Sequence, residues 1–116
     1  MVHAENGVLI SHNQERLMKQ GVTGPEGHLL SRSDEIEAEA THRAITIASE
    51  INVPVYIVHL MKQSAANEVR RAKKKGYVVY GEALAVGLAT DGSHYWNEDW
   101  DHAAGHVMSP AICDNP

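Results

Sequence analysis

A short run of β-branched and aromatic residues lies between two helical patterns, and this arrangement limits the fold more than any other feature of the chain. The run covers residues 55–60, Val-Tyr-Ile-Val-His-Leu, and is typical of a strand that is buried on both faces. Apolar residues at helical spacing predict one helix before it, over about 33–51, and another after it, over 65–75. The sequence therefore predicts an α/β fold with a parallel sheet.

Two further segments extend this alternation of strand and helix. Residues 1–6 are typical of the end of a strand, and residues 8–20 of a helix that stops at Gly21. Residues 77–80 predict the next strand, which can run on to Glu82. Because a closed eight-stranded barrel takes about 250 residues, these 116 residues can supply only part of one. We expect the chain to be truncated at its start, since nothing precedes residue 1 to complete the first strand.

Local signals indicate where the helices and loops begin. Ser31 and Asp34 have the spacing of a capping box for the helix over 33–51, and Ser64 is a candidate cap for the helix that follows. Glycines and a proline predict a surface loop over 21–28. After Ala83 weak periodicity predicts a long loop region, with at most a short helix over 100–106. The residues expected to face inward are Ile36, Ala40, Ala44, Ile47 and Ile51, and then Val69 and Ala72.

Composition argues against several kinds of partner. The 15 acidic and 10 basic residues give a net charge of -5, which disfavours general attraction to nucleic acid or anionic membrane. No apolar stretch reaches the ~20 residues that cross a bilayer, and the amino terminus has no signal-peptide pattern. The single cysteine, Cys113, excludes an internal disulfide and indicates a reduced, cytoplasmic protein. We therefore expect small molecules or proteins as partners.

Two histidines, His3 and His59, each close an apolar strand segment and lie one crossover apart in the chain. Side chains at the carboxyl ends of parallel strands meet at one rim, and neutral imidazole is a good zinc ligand. Taken singly, each histidine is better explained as a strand-end residue bonded to a loop. Taken together, the metal and the structural interpretations carry equal weight. Glu5 and Glu82 lie near the same strand ends, where we expect them to orient an imidazole or support the structure rather than bind metal.

Other polar and aromatic clusters have ordinary structural explanations. The lysines at 73–75 occupy a last helical turn, where cations complement the helix dipole, so a phosphate or nucleic-acid patch is the weaker interpretation. Tyr95, Trp96 and Trp100 fit a pocket or subunit contact as well as they fit the packing of an irregular loop. No nucleotide-binding glycine loop, serine-nucleophile motif or Cys-x-x-Cys occurs. The other histidines share no geometry that the sequence reveals, and we expect most to be surface or packing residues: His12, His28, His42, His94, His102 and His106.

Several longer motifs occur in order along the chain. They are His3-Ala4-Glu5-Asn6-Gly7, Gly21-Val22-Thr23-Gly24-Pro25-Glu26-Gly27-His28, Glu37-Ala38-Glu39-Ala40, Arg43-Ala44-Ile45-Thr46-Ile47-Ala48, Tyr80-Gly81-Glu82 and Thr90-Asp91-Gly92-Ser93-His94-Tyr95-Trp96. Together they resemble the dihydropyrimidinase family of the amidohydrolase superfamily, almost from end to end of the chain. The resemblance implies that residues 1–116 are a fragment of the catalytic domain. That fragment is a partial TIM-like (β/α)8 barrel, from the end of strand 5 through strand 7 and the following loop region.

The same resemblance implies roles for three residues. His3 and His59 match metal-binding histidines after the fifth and sixth strands, which serve the same zinc, and Ser109 matches a residue whose main chain contacts the substrate ring. The implied reaction opens the cyclic amide of 5,6-dihydrouracil or dihydrothymine to an N-carbamoyl-β-amino acid, with a water activated by two Zn²⁺ ions. The residues after Pro110 depart from the family pattern, because Ala-Ile-Cys stands in place of a continuation such as Pro-Leu-Arg.

The other parts of such a site are expected outside these 116 residues. They are the first-strand His-x-His pair, the carboxylated lysine that bridges the metals, a substrate-contacting tyrosine and the proton-shuttling aspartate. We therefore expect no catalytic residue in the chain and no activity from it alone, whereas the full-length protein is expected to be a cytoplasmic homotetramer. Two alternatives stay open. One is a non-catalytic dihydropyrimidinase-related cytoskeletal or signalling protein, whose family carries a non-ligand residue where His59 stands, and the other is a cyclic amidase such as hydantoinase.

Overall fold

The chain alternates helices with two strands over the part that the computed structural model describes, residues 1–113; residues 114–116 of the predicted fragment lie outside this range. The order confirms the predicted α/β class. The elements are α1 (Gly7–Lys19), α2 (Glu26–Leu30), α3 (Asp34–Glu50), β1 (Val55–Leu60), α4 (Gln63–Lys74), β2 (Val79–Ala83), α5 (Ala85–Ala89), a 3-10 helix (Gly92–Trp96) and α6 (Trp100–Gly105).

Two parallel strands form the sheet, as predicted. Val55 lies opposite Val79 and Ile57 opposite Gly81, and the register becomes irregular between Ile57 and the end of β1. The amino-terminal segment adds one isolated parallel bridge, from Val2 to Ile57. The predicted strand at residues 1–6 is therefore reduced to a single bridging residue, which still places the amino terminus beside β1.

A hydrophobic core lies between this sheet and the helices α3 and α4. Ile57 is fully buried at its centre, and Val69 and Ala72 of α4 face it as predicted. Each large aliphatic side chain buried in this way contributes roughly 1.5–3 kcal/mol. The strand exits, where the polar residues lie, are thus held by packing below them.

The inward face of α3 is rotated from the predicted stripe. Ile47 and Ile51 are 58% and 65% exposed, whereas Ile45 is buried. The buried face also includes Glu37 and Thr41, two polar residues that a hydrophobic pattern assigns to solvent. The predicted stripe was therefore wrong at its carboxyl-terminal end.

The two predicted helix caps make different contacts. Ser33 precedes α3, and the hydroxyl of Ser31 instead donates to the carbonyl oxygen of His28 at 2.9 Å, so the capping-box prediction was wrong. Ser64 lies inside α4, where its hydroxyl donates to the carbonyl oxygen of Asp34 at 3.0 Å. Both serines bond backbone carbonyls rather than helix amides. The second of these bonds ties the start of α4 to the start of α3.

Two regions predicted as loops contain short helices. α2 begins inside the predicted loop 21–28, directly after Pro25, whose φ of -57° already suits a helix. Beyond Ala83 the chain forms α5 and the 3-10 helix as well as the predicted α6. Elements of five or six residues hold too few apolar positions for a helical period to show. Among the described residues, no helix combines the length and apolarity needed to cross a membrane.

Candidate metal centre

The two predicted ligands, His3 and His59, meet at the carboxyl end of the parallel strands. The amide of Val2 donates to the carbonyl oxygen of Tyr56 at 2.9 Å, and the amide of Val58 donates to the carbonyl oxygen of Val2 at 3.1 Å. These bonds bring the next residue of each segment to the same edge. Nδ1 of His3 lies 3.1 Å from Nε2 of His59, and the rings meet edge to face with centroids 4.8 Å apart.

The backbone of His59 departs from regular strand geometry. Its φ is 38°, in the left-handed region that a non-glycine residue seldom adopts. Glu82 of β2 supports this conformation, because one carboxylate oxygen accepts the amide of His59 at 3.2 Å and the other accepts the Tyr56 hydroxyl at 2.9 Å. The bond to Glu82 also raises the pKa of Tyr56, since it holds the phenol in its neutral form. Glu82 thus supports the backbone at the strand exit, which is the structural one of the two roles predicted for it.

His3 is oriented by the other predicted carboxylate. Nε2 of His3 lies 3.4 Å from a carboxylate oxygen of Glu5, and the second oxygen of Glu5 lies 3.6 Å from Nε of Arg32. The Glu5 side chain is only 4% exposed, so it is fixed in place. A carboxylate behind one imidazole nitrogen directs the other nitrogen toward a metal, as carboxylates commonly do in zinc sites.

The geometry of the pair fits zinc binding. Zinc–nitrogen bonds of about 2.0–2.1 Å in a tetrahedral site place two ligand nitrogens about 3.3 Å apart, close to the observed 3.1 Å. Nδ1 of His59 is buried and has no hydrogen-bond partner among the described residues. A proton on Nδ1 leaves the lone pair on Nε2, which faces His3. Within residues 1–113 no third histidine, cysteine or carboxylate joins this pair in a cluster of possible ligands, so the two nitrogens are an incomplete site.

A buried carboxylate, Glu37, holds the backbone that follows His59. Its two oxygens accept the amides of Met61 at 3.0 Å and Lys62 at 2.8 Å. The pKa of Glu37 is raised from 4.5 to about 7, mainly by burial and to a lesser extent by nearby Glu5, against the opposing effect of the two amide bonds and of Lys62. Sequence reasoning missed this residue. The only signal was an acidic side chain within the apolar face of a helix, next to Ile36.

Ser109 lies in an exposed bend beyond α6, directly before the buried Pro110. The bend is anchored on both sides. His28 donates a ring N–H to the carbonyl oxygen of Met108, and the amide of Ile112 donates to the Tyr95 hydroxyl at 3.0 Å. Burial lowers the pKa of His28, which keeps this imidazole neutral.

A second core cluster connects this bend to the exit of β1. Met61, just beyond β1, packs with Tyr95 and Ile112 in that cluster. Tyr95 is therefore a core residue, whereas Trp96 and Trp100 are 57% and 64% exposed. The sequence left open whether these aromatic residues line a pocket or subunit contact or pack within an irregular loop, and packing within the loop region holds for Tyr95.

Three other histidines come together although the sequence showed no shared geometry for them. The candidate ligand atoms of His94, His102 and His106 all lie within 4.8 Å of one another. His102 lies in α6 and His106 directly follows its last residue, so the two are four residues apart. That spacing places both on one helix face, and it was the signal that sequence reasoning passed over.

Relatives of the chain fall in one family. No protein-family model matches the chain. It is 57% identical over 115 residues to dihydropyrimidinase 2 of Caenorhabditis elegans and 56% identical over 115 residues to dihydropyrimidinase of Rattus norvegicus, with 99% of this chain and 22% of each relative covered. It is also 43% identical over 111 residues to human dihydropyrimidinase-related protein 5, with 96% of this chain and 20% of that protein covered.

Solved structures agree with this assignment. The backbone matches D-hydantoinase from Bacillus sp. AR9 with a TM-score of 0.94 at 35% identity, over 97% of this chain and 24% of the other. It matches dihydropyrimidinase from Brevibacillus agri NCHU1002 with the same TM-score at 33% identity, over 97% of this chain and 24% of the other. The chain spans less than a quarter of the length of these relatives. Identity along nearly the whole chain and the shared backbone show that it belongs to the dihydropyrimidinase family.

Proposed function

We propose that residues 1–116 are a fragment of the catalytic barrel of a zinc-dependent dihydropyrimidinase, running from the end of barrel strand 5 through strand 7 and the loop region after it. The full-length enzyme would open the cyclic amide of 5,6-dihydrouracil or dihydrothymine and release an N-carbamoyl-β-amino acid. One observation carries the proposal. It is the convergence of His3 Nδ1 and His59 Nε2 to 3.1 Å at the exits of parallel strands, in a chain whose relatives bear this enzyme's name.

In this proposal His3 and His59 hold one of two zinc ions through those nitrogens. Each imidazole must be neutral to bind, so acid releases the metal. When bound, zinc would supply Lewis acidity that makes a water a better nucleophile and polarises the amide carbonyl. Glu5 and Glu82 keep the two imidazoles aimed at one point, since one carboxylate backs the His3 ring and the other bonds the His59 amide.

Ser109 would bind the substrate ring through its main chain. The anchors on either side of it, at Met108 and Ile112, fix the backbone of the bend. A fixed backbone amide or carbonyl can orient a small cyclic amide with little loss of entropy on binding. The substrate would be a small molecule, and nucleic acid and membrane have no part in the proposal.

The fragment alone would be inactive. Two histidines are fewer than the three protein ligands that a catalytic zinc usually takes, and the groups that would complete both metal sites and move protons would come from other parts of the enzyme. We further propose that the full-length protein is a cytoplasmic homotetramer. Dihydrouracil hydrolysis by the purified 116-residue chain would overturn the proposal that it lacks activity.

The test of the metal pair is made in the full-length protein that carries these residues. We expect His59→Ala to lower the zinc bound per subunit, measured by native mass spectrometry, and to abolish dihydrouracil hydrolysis. His12→Ala, which removes an exposed imidazole of α1, is the matched control and should keep both. Unchanged zinc content in His59→Ala would refute the role of the pair.

The second candidate function is that of a non-catalytic dihydropyrimidinase-related protein. The 43% identity to human dihydropyrimidinase-related protein 5 supports it. The paired histidines and the higher identity to dihydropyrimidinases favour the hydrolase. Zinc content with dihydrouracil turnover in the full-length protein distinguishes the two, because the related protein would show neither. Activity on hydantoin but not on dihydrouracil would instead favour a hydantoinase, the class of a structural neighbour.

A further inference from the structure

Three imidazoles converge between the 3-10 helix and the end of α6. Nδ1 of His94 lies 2.9 Å from Nε2 of His102, and the rings of His94 and His106 stack with centroids 4.0 Å apart and planes within 8°. The rings of His102 and His106 are 4.6 Å apart. None of the three is buried, so ions can reach them from solvent.

Neighbouring oxygens bond the nitrogens that face away from the cluster. Nδ1 of His106 lies 2.7 Å from the carbonyl oxygen of His102. A carbonyl can only accept, so this nitrogen carries the proton and Nε2 carries a lone pair. Nε2 of His94 lies 2.6 Å from the hydroxyl oxygen of Thr90, and donation to that oxygen leaves the lone pair of Nδ1 directed at His102. Such bonds fix tautomer and ring orientation in metal sites.

The charge of the surrounding segment favours a cation. Between residues 91 and 108 the sequence has four carboxylates, Asp91, Glu98, Asp99 and Asp101, and no lysine or arginine. Asp99 also fixes the first turn of α6, because its carboxylate accepts the amides of Asp101 and His102. The helix that presents two of the imidazoles is therefore capped by a carboxylate, and it belongs to a segment with four acidic residues and no lysine or arginine.

We propose that His94, His102 and His106 form a binding site for a divalent transition-metal ion of the zinc type, distinct from the pair at His3 and His59. Three neutral imidazoles match the ligand preference of zinc and its late first-row neighbours, whereas magnesium and calcium prefer oxygen ligands. Bound metal would cross-link the 3-10 helix to α6. Because the two sites share no residue, this site does not depend on the proposed hydrolase function.

The test measures Zn²⁺ affinity by competition with a chromophoric chelator, in the full-length protein that carries these residues. His3→Gln with His59→Gln forms the background, so that the first pair contributes nothing. In this background we expect His106→Gln, and separately His102→Gln, to weaken Zn²⁺ binding more than about 100-fold, because loss of a ligand exceeds the 10–100-fold effect of losing a supporting group. His102 has an exposed place on α6, so its replacement leaves the core untouched. Equal Zn²⁺ affinity in the background protein and in both variants would overturn the proposal.

Two controls and one further variant sharpen the result. As controls, His12→Gln removes one exposed imidazole of α1 and should leave the affinity unchanged, and Mg²⁺ at the same concentrations should not compete. As a further test, Thr90→Val removes the oxygen beside His94 and should weaken Zn²⁺ binding by about 10-fold or more. With Cu²⁺ as the probe, electron paramagnetic resonance should report one nitrogen ligand fewer in the His102 and His106 variants than in the background protein. An unchanged nitrogen count would contradict the assignment.

Discussion

Glu37 gives the sharpest prediction about stability, because a carboxylate with a raised pKa sits directly behind the strand exit. Its pKa moves from 4.5 to about 7 in the folded chain. Between these values the folded state holds a proton that the unfolded state has lost, so the free energy of unfolding falls as pH rises. A difference of roughly 2.5 pKa units corresponds to about 3 kcal/mol. That stability is present below pH 4.5 and is lost as pH passes through about 7.

Replacement of Glu37 by Gln removes this dependence on pH. Gln keeps the shape and can accept one of the two backbone amides, so a constant offset in stability is expected at every pH. The informative quantity is the change in unfolding free energy between pH 5 and pH 8, measured by urea denaturation. We expect the decrease over this interval to be about 2.5 kcal/mol smaller in Glu37→Gln than in the natural chain, because pH 5 already lies above the unfolded-state pKa of 4.5. Glu35→Gln, an exposed change on the same helix, is the control, and parallel pH profiles for Glu37→Gln and the natural chain would refute the reasoning.

Three further predictions concern the packing around the site. Burial lowers the pKa of His28, so this residue supplies stability that is present above pH 6.5 and is lost as pH falls through its folded-state pKa. Urea titrations should therefore show that the free energy of unfolding of His28→Gln falls less on acidification than that of the natural chain. Tyr95→Phe leaves the buried amide of Ile112 without its acceptor and should cost about 1–3 kcal/mol; an unchanged melting temperature would contradict this. Thr41→Val should raise stability by about 1 kcal/mol in the same urea assay, because the buried Thr41 hydroxyl has no partner among the described residues.

Long, strongly patterned elements could be predicted from the sequence, and polar contacts between elements could not. β1 was predicted with its observed bounds because β-branched residues between two helices leave few alternatives. The face of α3 was predicted correctly at Ile36 and Ala40 but wrongly at its carboxyl-terminal end, and the burial of Glu37 and Thr41 was missed. Hydrophobic periodicity counts both residues as solvent-facing, whatever lies against them.

The candidate site divides in the same way. The convergence of His3 and His59 follows from parallel strands and a crossover, and the structure brings them to 3.1 Å. The cluster at His94, His102 and His106 joins a 3-10 helix to a six-residue helix. Neither element has enough apolar residues to predict its orientation, so only the four-residue spacing of two members could have been noticed.

The strained backbone of His59 shows why the sequence could predict that His3 and His59 meet but not the geometry in which they do so. In a regular strand, residues two apart share a face, so His59 would lie on the buried face of Ile57. The register irregularity after Ile57 and the φ of 38° instead leave His59 partly exposed and against His3. Such a conformation costs about 1–3 kcal/mol, and the bond from the His59 amide to Glu82 offsets part of it. Because that carboxylate comes from the neighbouring strand, 23 residues away, no local pattern around His59 could reveal it. The strain is an observation, separate from the distance to His3, that supports the proposed metal-binding role of His59.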